Sequence, residues 1–329
     1  IEYLNYSGFC FLDLSLSKTE DNQIKVFEKV FRVYKIGQRT QTSRQNEQYA
    51  LHFCSEELIL SEQMKIAKSY RNSTISDMVN RILTDELKVD SSKIYKIENS
   101  KGLQDKIVPN IKPFEAINWL ATYAQPESSA TPSADMIFYQ NNNGFNFRSL
   151  QSIFNDTVYA NYNYSPQNLV ETETNIDYNT KAILSYKFKN TFDALKIINA
   201  GGYSNKIVTI DPLLRTSKSV TFDYDDYAAN AKKLNDYSIN NGYVNRLGIK
   251  TNQMYNSVFK IATGNADQRY NDSISQATNG TFNTITYDIG IETYVPYRTA
   301  QLAQINAIKY KLTIPGDPMM TIGNVIEFE

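Results

Sequence analysis

Hydrophobic and polar residues alternate along the first part of the chain, and this pattern predicts β-strands, because successive side chains of a strand point to opposite faces. The predicted strands are residues 9–14, 24–36, 49–54 and 64–70, with a break at residues 37–39 and a polar loop over residues 40–47. Four or five strands with no long helix between them favour an antiparallel barrel or sandwich.

The period of the hydrophobic residues then changes to that of a helix. Over residues 74–87 they recur three and four positions apart, which predicts one apolar helical face. Thr74 can cap this helix, and Asp77 suits both a shortened capping box and the helix dipole. A second helix is predicted to begin at Pro113, because the missing N–H of proline costs nothing at the first helical position. A third is predicted from about residue 191 to the glycine pair 201–202, a typical helix stop.

The rest of the chain carries mostly strand-like patterns, with one long exception. Before residue 224 the pattern predicts a loop at 125–133, a hairpin with strands 135–139 and 145–148 and a turn at 141–144, and a turn capped by Ser149. A loop or edge strand at 159–165 and strands at 207–210 and 220–222 follow. Near the C-terminus it predicts an alternating stretch at 287–292, a helix at 297–305, a strand at 307–314, a turn at 315–318 and a last strand at 321–328. Residues 224–283 are rich in Asn, Tyr, Ala and Ser, with little aliphatic density. We expect an insertion or small accessory domain there.

Composition narrows the function. Charge nearly cancels, with 34 Lys and Arg against 35 Asp and Glu, so the sum offers no basic surface for non-specific nucleic-acid binding. No apolar run is long enough for a membrane helix. His52 is the only histidine and the chain has two cysteines, which excludes a His-based zinc site, a four-thiolate metal site and a disulfide scaffold within one chain. This composition is typical of a structural or binding protein more than of an enzyme.

Three groups of residues are candidates for chemistry. The acidic cluster at 223–226 can hold a hard cation or act as acid and base, or it is a solvated exit from a strand. His52 and Cys54 share a strand face, as a thiol nucleophile and its base would, but no third group orients the histidine, and packing in a barrel wall is the alternative. Cys10 and Cys54 either form a disulfide or pack as separate buried thiols. We assign no catalytic, cofactor-binding or metal-ligating residue.

Three segment groups, in this order and spacing, resemble one family. They are residues 49–57 with 69–87, residues 113–121 with 138–140 and 144–150, and residues 309–318 with 322–326. Together they are similar to the central baseplate hub proteins of contractile-tailed bacteriophages, which are related to the hub part of type VI secretion spike proteins. The resemblance covers most of the chain from about Tyr49 to Phe328, apart from residues 224–283.

The resemblance implies an α+β fold with two antiparallel, tube-like β-barrel domains, a mixed α/β segment and an inserted accessory region. We assign residues 1–110, including the helix at 74–87, to the first barrel. Residues 111–200 form the mixed α/β domain, residues 201–223 with 284–329 form the second, discontinuous barrel, and residues 224–283 form the insertion.

The resemblance also implies a function. The expected protein is a non-enzymatic homotrimer that forms a pseudo-sixfold ring, adapts the hexameric tail tube to the trimeric central spike and lines the DNA channel. Its expected partners are other copies of itself, tail tube proteins, the spike and other baseplate proteins, with no cofactor, no specific nucleic-acid binding and no membrane segment. We expect it in the virion tail baseplate after assembly in the host cytoplasm. The alternatives are a type VI-like secretion spike component and a carbohydrate-binding β-protein of a phage adhesin.

Overall fold

The structure is a computed structural model that describes residues 10–20, 23–41, 46–127, 135–164, 181–190, 193–202, 204–211, 215–223, 259–263, 291–305 and 308–328. In chain order its strands are β1 (Cys10–Glu20), β2 (Gln23–Gln41), β3 (Glu47–Cys54), β4 (Ser69–Ser73), β5 (Ile94–Ile97), β6 (Gln104–Ile107), β7 (Met136–Asn141), β8 (Gly144–Ser149), β9 (Val158–Tyr162), β10 (Ser185–Asn190), β11 (Ser204–Asp211), β12 (Thr216–Asp223), β13 (Phe259–Thr263), β14 (Lys309–Thr313) and β15 (Val325–Phe328). The α-helices are α1 (Glu56–Gln63), α2 (Ile75–Arg81), α3 (Pro113–Ala121), α4 (Leu150–Phe154), α5 (Ala194–Asn199) and α6 (Ile291–Gln304).

The first three strands form an antiparallel sheet in the order β1-β2-β3, as the alternating pattern predicts. The predicted break at residues 37–39 and the predicted loop at Thr40 and Gln41 are wrong, because β2 stays paired with β3 up to Gln41. The chain accommodates Gly37 by a register shift between Gly37 and Thr40, with Gln38 in the left-handed region at a φ of 48°. The glycine therefore marks a bulge inside one long strand and not its end.

The main hydrophobic core lies between helices α2 and α3 and the three-stranded sheet β5-β8-β7. Strand β8 is central, antiparallel to β7 and parallel to β5, and all six of its residues are buried. Its Phe145 ring stacks on Phe138 with centroids 5.7 Å apart, and Phe114 of α3 packs against both rings. The fully buried side chains of this core include Ile75, Met78, Val79, Ile82, Leu83, Ile117, Leu120 and Phe147.

The predicted starts of the first two helices and the predicted hairpin are confirmed. The Thr74 hydroxyl accepts a hydrogen bond from the Asp77 N–H at 3.1 Å, and Pro113 occupies the first turn of α3. The helix predicted over 74–87 is α-helical through Arg81 and then widens into a π-helical turn over Ile82–Glu86. Ser149 caps α4 by accepting from the Ser152 N–H.

Sequence reasoning missed α1, β5, β6 and β10, and it misplaced the strand predicted over 64–70. Ile66 forms only an isolated bridge with Ile111, and its buried side chain joins the helical core, so the strand begins at Ser69. Residues 64–68 therefore look strand-like because Ile66 is buried in the helical core, whereas Ser69 and Tyr70 of the predicted strand do pair with β6.

The C-terminal half consists of small sheets. Strand β9 pairs in parallel with β15, which fits the predicted edge strand, and β10 pairs antiparallel with β14. Strand β11 lies between β12 and β13 in a three-stranded sheet. This sheet packs against α6, where the ring centroids of Phe222 and Tyr297 are 5.1 Å apart. Gly201 ends α5 at a φ of 81°, as a helix stop should.

Two boundaries in this half differ from the predicted ones. Residues 291–292, predicted to alternate as a strand, begin the helix α6, so the predicted helix at 297–305 starts earlier. The predicted last strand at 321–328 starts only at Val325, because a turn precedes it, with Thr321 donating its N–H to the Asn324 side chain. That segment contacts the hairpin turn, where the Asn142 N–H donates to the Thr321 hydroxyl. It also contacts β9, where the Tyr159 hydroxyl donates to Asp317.

The mixed α+β class is confirmed, and most described elements are strands. The sheets have two or three strands, and none of them closes into a barrel within the described ranges. The predicted domain division and the predicted insertion stay predictions. Residues 224–283 lie outside the described part except for Phe259–Thr263, which pairs in parallel with β11.

Gly144 supports a direct test of how closely the hairpin approaches β5. A Cβ at Gly144 would lie 2.2 Å from the Lys93 carbonyl oxygen, and the φ of Gly144 is 137°. We expect Gly144→Ala to destabilise the protein by roughly 2 kcal/mol or more, because clash and backbone strain add. The measurement is the urea midpoint of unfolding. The matched control is Gly316→Ala, where a Cβ meets nothing within 4 Å; equal midpoints for the two variants would contradict the described approach.

Candidate interaction surface

Five aromatic side chains form a continuous row over β10, β14 and β15, which we call the aromatic strip. Consecutive ring centroids lie 4.9, 6.0, 4.6 and 5.5 Å apart. Alternation in β10 and β14 places Tyr186, Phe188 and Tyr310 on one face, where Phe188 is directly opposite Tyr310. The strip consists of Tyr164, Tyr186, Phe188, Tyr310 and Phe328.

The aromatic strip is exposed. Its five side chains have between 40% and 50% of their surface accessible, and Leu184 and Ile308 beside it are similarly exposed. Large apolar side chains that lie next to one another on the surface mark sites of interaction, and aromatic residues are enriched in protein interfaces. What this surface can do is bury itself against another apolar surface.

The sheet β1-β2-β3 exposes a second set of apolar residues. It is tied to the core by polar contacts: the Lys29 ammonium donates to the Asn141 carbonyl at 3.2 Å, and Arg32 pairs with Glu56 of α1. The exposed side chains are Val30, Tyr34, Ile36, Tyr49 and Phe53. These exposed side chains are available to a neighbour.

An open pocket of about 360 Å³ lies between α1 and residues 86–93. Its glutamates have basic partners: Glu56 pairs with Arg32, Glu57 with Lys93, and Glu86 with Lys68. Glu57 is buried, and the Lys93 ammonium donates to it at 2.6 Å. These carboxylates are thus engaged in ion pairs that hold the pocket wall together.

Arg148 is a buried cation on the central strand. Its guanidinium donates to both oxygens of Asp156, at 2.6 and 2.7 Å, and to the hydroxyl and carbonyl of Ser152. The ion pair lowers the pKa of Asp156 and raises that of Arg148. The pair joins β8 to the end of α4 and compensates a charge that burial would otherwise penalise.

Asp135, just before β7, is a buried acid at a junction of several elements. Burial raises the pKa of its carboxyl to about 7, and the nearby Glu98 carboxylate adds to the shift, while Arg298 of α6 opposes it. Glu98 accepts hydrogen bonds from the N–H and hydroxyl of Ser149, and Arg298 donates to the Ala121 carbonyl at 3.4 Å. A group that titrates near neutrality therefore sits where α6 meets the main core.

His52 and Cys54, the histidine and thiol noted in the sequence, do not form a catalytic arrangement in the structure. His52 is exposed on β3, with its ring 6.1 Å from that of Tyr34. Cys54 is a free, half-buried thiol, and burial raises its pKa, which disfavours the reactive thiolate. The environment thus acts against thiol nucleophilicity.

The sheet order excludes a disulfide between Cys10 and Cys54. Strands β1 and β3 lie on opposite sides of β2, with Val33 between Cys10 and Phe53. Two strand spacings put the backbones about 9–10 Å apart, beyond the ~7 Å that a disulfide spans. Asp223 ends β12, and residues 224–226 of the acidic cluster lie outside the described residues.

Within the described residues, no three His, Cys, Asp or Glu side chains come together as a metal site, and no helix has the length and apolarity to cross a membrane. The sites that sequence reasoning missed are Asp135, the Arg148–Asp156 pair and the aromatic strip. A signal existed for the strip, because Tyr186 and Phe188 alternate with lysines. No local signal marks Asp135, since its pKa depends on residues from distant segments.

Part of the chain is similar in sequence to a phage protein. The chain is 25% identical over 154 residues to a probable baseplate hub protein of Vibrio phage KVP40. The match covers 46% of this chain, and it spans only 36% of that relative. No protein-family model matches the chain. The structure of a tail protein from Neisseria meningitidis MC58 superposes on this chain with a TM-score of 0.46 and 7% sequence identity. The superposition covers 98% of this chain and 79% of that protein, and a similarity this low supports no conclusion about function.

Asp135 makes the stability depend on pH. Its folded pKa of about 7 lies above its ordinary value of 3.8, so its contribution is favourable below about pH 4 and is lost as the pH rises to about 7. Between pH 5 and pH 8 we expect the free energy of unfolding to fall in both the wild type and Asp135→Asn. The fall should be smaller in the variant, by on the order of 2–4 kcal/mol. Urea unfolding at both pH values measures the difference. The control Asp77→Asn, at an exposed carboxylate, should keep the wild-type dependence; an unchanged dependence in Asp135→Asn would refute the assignment.

Proposed function

We propose that the chain is a structural baseplate hub protein of a contractile phage tail. The observation that carries the proposal is its sequence similarity to the baseplate hub protein of a Vibrio phage. The chain also resembles this family in three separate segment groups, which lie within residues 49–87, 113–150 and 309–326. The matched region is less than half of the Vibrio phage protein. The role of that whole protein is therefore only proposed for this chain.

In this proposal three copies form a pseudo-sixfold ring of β-barrel domains. The ring adapts a hexameric tail tube to a trimeric spike and lines the channel through which DNA leaves. The protein resides in the virion baseplate after assembly in the host cytoplasm, and its partners are the tube, the spike and other baseplate proteins. Its work is docking and symmetry adaptation, with no enzymatic step assigned to this chain.

The exposed aromatic strip supports a role in assembly. Permanent interfaces bury more than about 2,000 Å² and are rich in aromatic residues, whereas a monomer gains nothing from rings left half in water. Tyr186, Phe188 and Tyr310 are three such rings on one small sheet. We assign this surface to a contact with another copy or with a tail protein.

The mass in solution tests the proposal. Light scattering is expected to give three times the 37.6 kDa of one chain, or that mass plus the mass of the spike when the spike protein is added. Tyr186→Ser with Phe188→Ser should lower the trimer fraction, because the strip loses its apolar area. The matched control replaces two exposed apolar residues elsewhere, Tyr95→Ser with Ile107→Ser, and should leave assembly unchanged.

Two outcomes would count against the hub. A stable monomer that ignores the spike would overturn the proposal. Tight and specific binding on a glycan array would instead support a carbohydrate-binding adhesin. Assembly that responds equally to both double variants would remove the aromatic strip from the interface while leaving the hub proposal in place.

A further inference from the structure

The sheet of β10 and β14 has a second face, opposite the aromatic strip, that carries four lysines. In β10 the sequence Ser-Tyr-Lys-Phe-Lys-Asn alternates, and in β14 the sequence Lys-Tyr-Lys-Leu-Thr does the same. The pairing places Lys187 directly opposite Lys311, and Lys189 lies in the bulge next to the pair formed by Asn190 and Lys309. We call Lys187, Lys189, Lys309 and Lys311 the lysine face.

The lysine face is exposed and uncompensated. All four residues are exposed, and no ion pair of the described residues includes them. Some lysines elsewhere do have carboxylate partners, as Lys68 with Glu86 and Lys112 with Glu62. Like charges directly opposite on a sheet are destabilising, and a bound anion would offset the repulsion between Lys187 and Lys311.

The geometry indicates an anion with repeated charges. Lysines two positions apart on a strand are separated by about 6.7 Å, and directly opposite ones by about 5 Å, so the face presents a small grid of positive charge. A single small anion covers only part of it. The net charge of −1 averages over the whole chain and does not show this local concentration.

The residue types favour a nucleic-acid backbone over a protein surface. The hydroxyl residues Ser185 and Thr313 are opposite each other on the same face as the lysines. Lysine, serine and threonine are typical phosphate contacts, whereas lysine and serine are depleted in protein interfaces. The aromatic rings lie on the other face and cannot stack on unpaired bases, which favours a duplex over a single strand.

We propose that the lysine face binds the phosphate backbone of double-stranded DNA without reading its sequence. This inference rests on the charge pattern and not on the hub proposal. If the protein is a monomer that binds duplex DNA through these lysines, the DNA-binding proposal stands without the hub proposal. If it is a trimer that does not bind DNA, only the DNA-binding proposal is overturned.

The test measures binding of the full chain to a fluorescent duplex of about 20 base pairs by anisotropy, at about 50 and about 200 mM salt. Four phosphate contacts predict an affinity loss of about 150-fold over this salt range. Lys187→Gln with Lys311→Gln removes the directly opposed pair, and the loss is expected to fall to about 12-fold, together with weaker binding at low salt. Circular dichroism confirms that this variant folds, which relief of the repulsion favours.

The matched control is Lys65→Gln with Lys101→Gln, which changes the net charge equally at two exposed lysines outside the lysine face. It should retain the wild-type salt dependence. Absence of duplex binding at low salt, or equal salt dependence in the two double variants, would overturn the proposal. A polyglutamate peptide that binds the lysine face more tightly than the duplex would also overturn it, in favour of an acidic protein partner.

Discussion

The structure depends on the complete burial of one short strand. All six residues of β8 are removed from water, yet the strand carries Asn146, Arg148 and Ser149. The buried charge in particular needs a partner inside the protein, since an unpaired buried charge costs several kcal/mol. Arg148 reaches Asp156, Ser149 reaches Glu98, and Asn146 donates to the Gly144 carbonyl. These bonds fix the position of α4 and of the loop after β5, so the apolar core and the polar network constrain the same backbone.

The parts of the fold that sequence predicts are those determined by local chemistry. A threonine hydroxyl that bonds the N–H three residues later, and a proline at a helix start, act within one turn. The Asn-rich turn before Gly144 likewise defines a hairpin by itself. Strands β5 and β6 have four residues each and depend on partners far along the chain, so their local pattern is too short to distinguish them. Ile66 shows the reverse error, a strand-like alternation produced by one side chain in a helical core.

The surfaces were predictable only in part. Alternation in residues 185–190 and 309–313 is visible in the sequence, but which strands pair, and therefore which rings meet, is a property of the folded chain. The sequence also places His52 and Cys54 on one face, yet the exposure of the histidine and the raised pKa of the thiol follow from what packs around them. The net charge of the chain was the least informative measure, because it does not show that four lysines share one face of the sheet formed by β10 and β14.

The pairing of β9 with β15 and of β10 with β14 has a consequence for synthesis on the ribosome. Residues 309–328 are translated after every other described strand, and until they emerge β9 and β10 lack the partners that complete their sheets. A nascent chain therefore carries open strand edges and unshielded aromatic side chains for as long as the intervening residues take to be made. Such edges are sites of wrong pairing between neighbouring chains, so translation that stops early should yield an aggregating product.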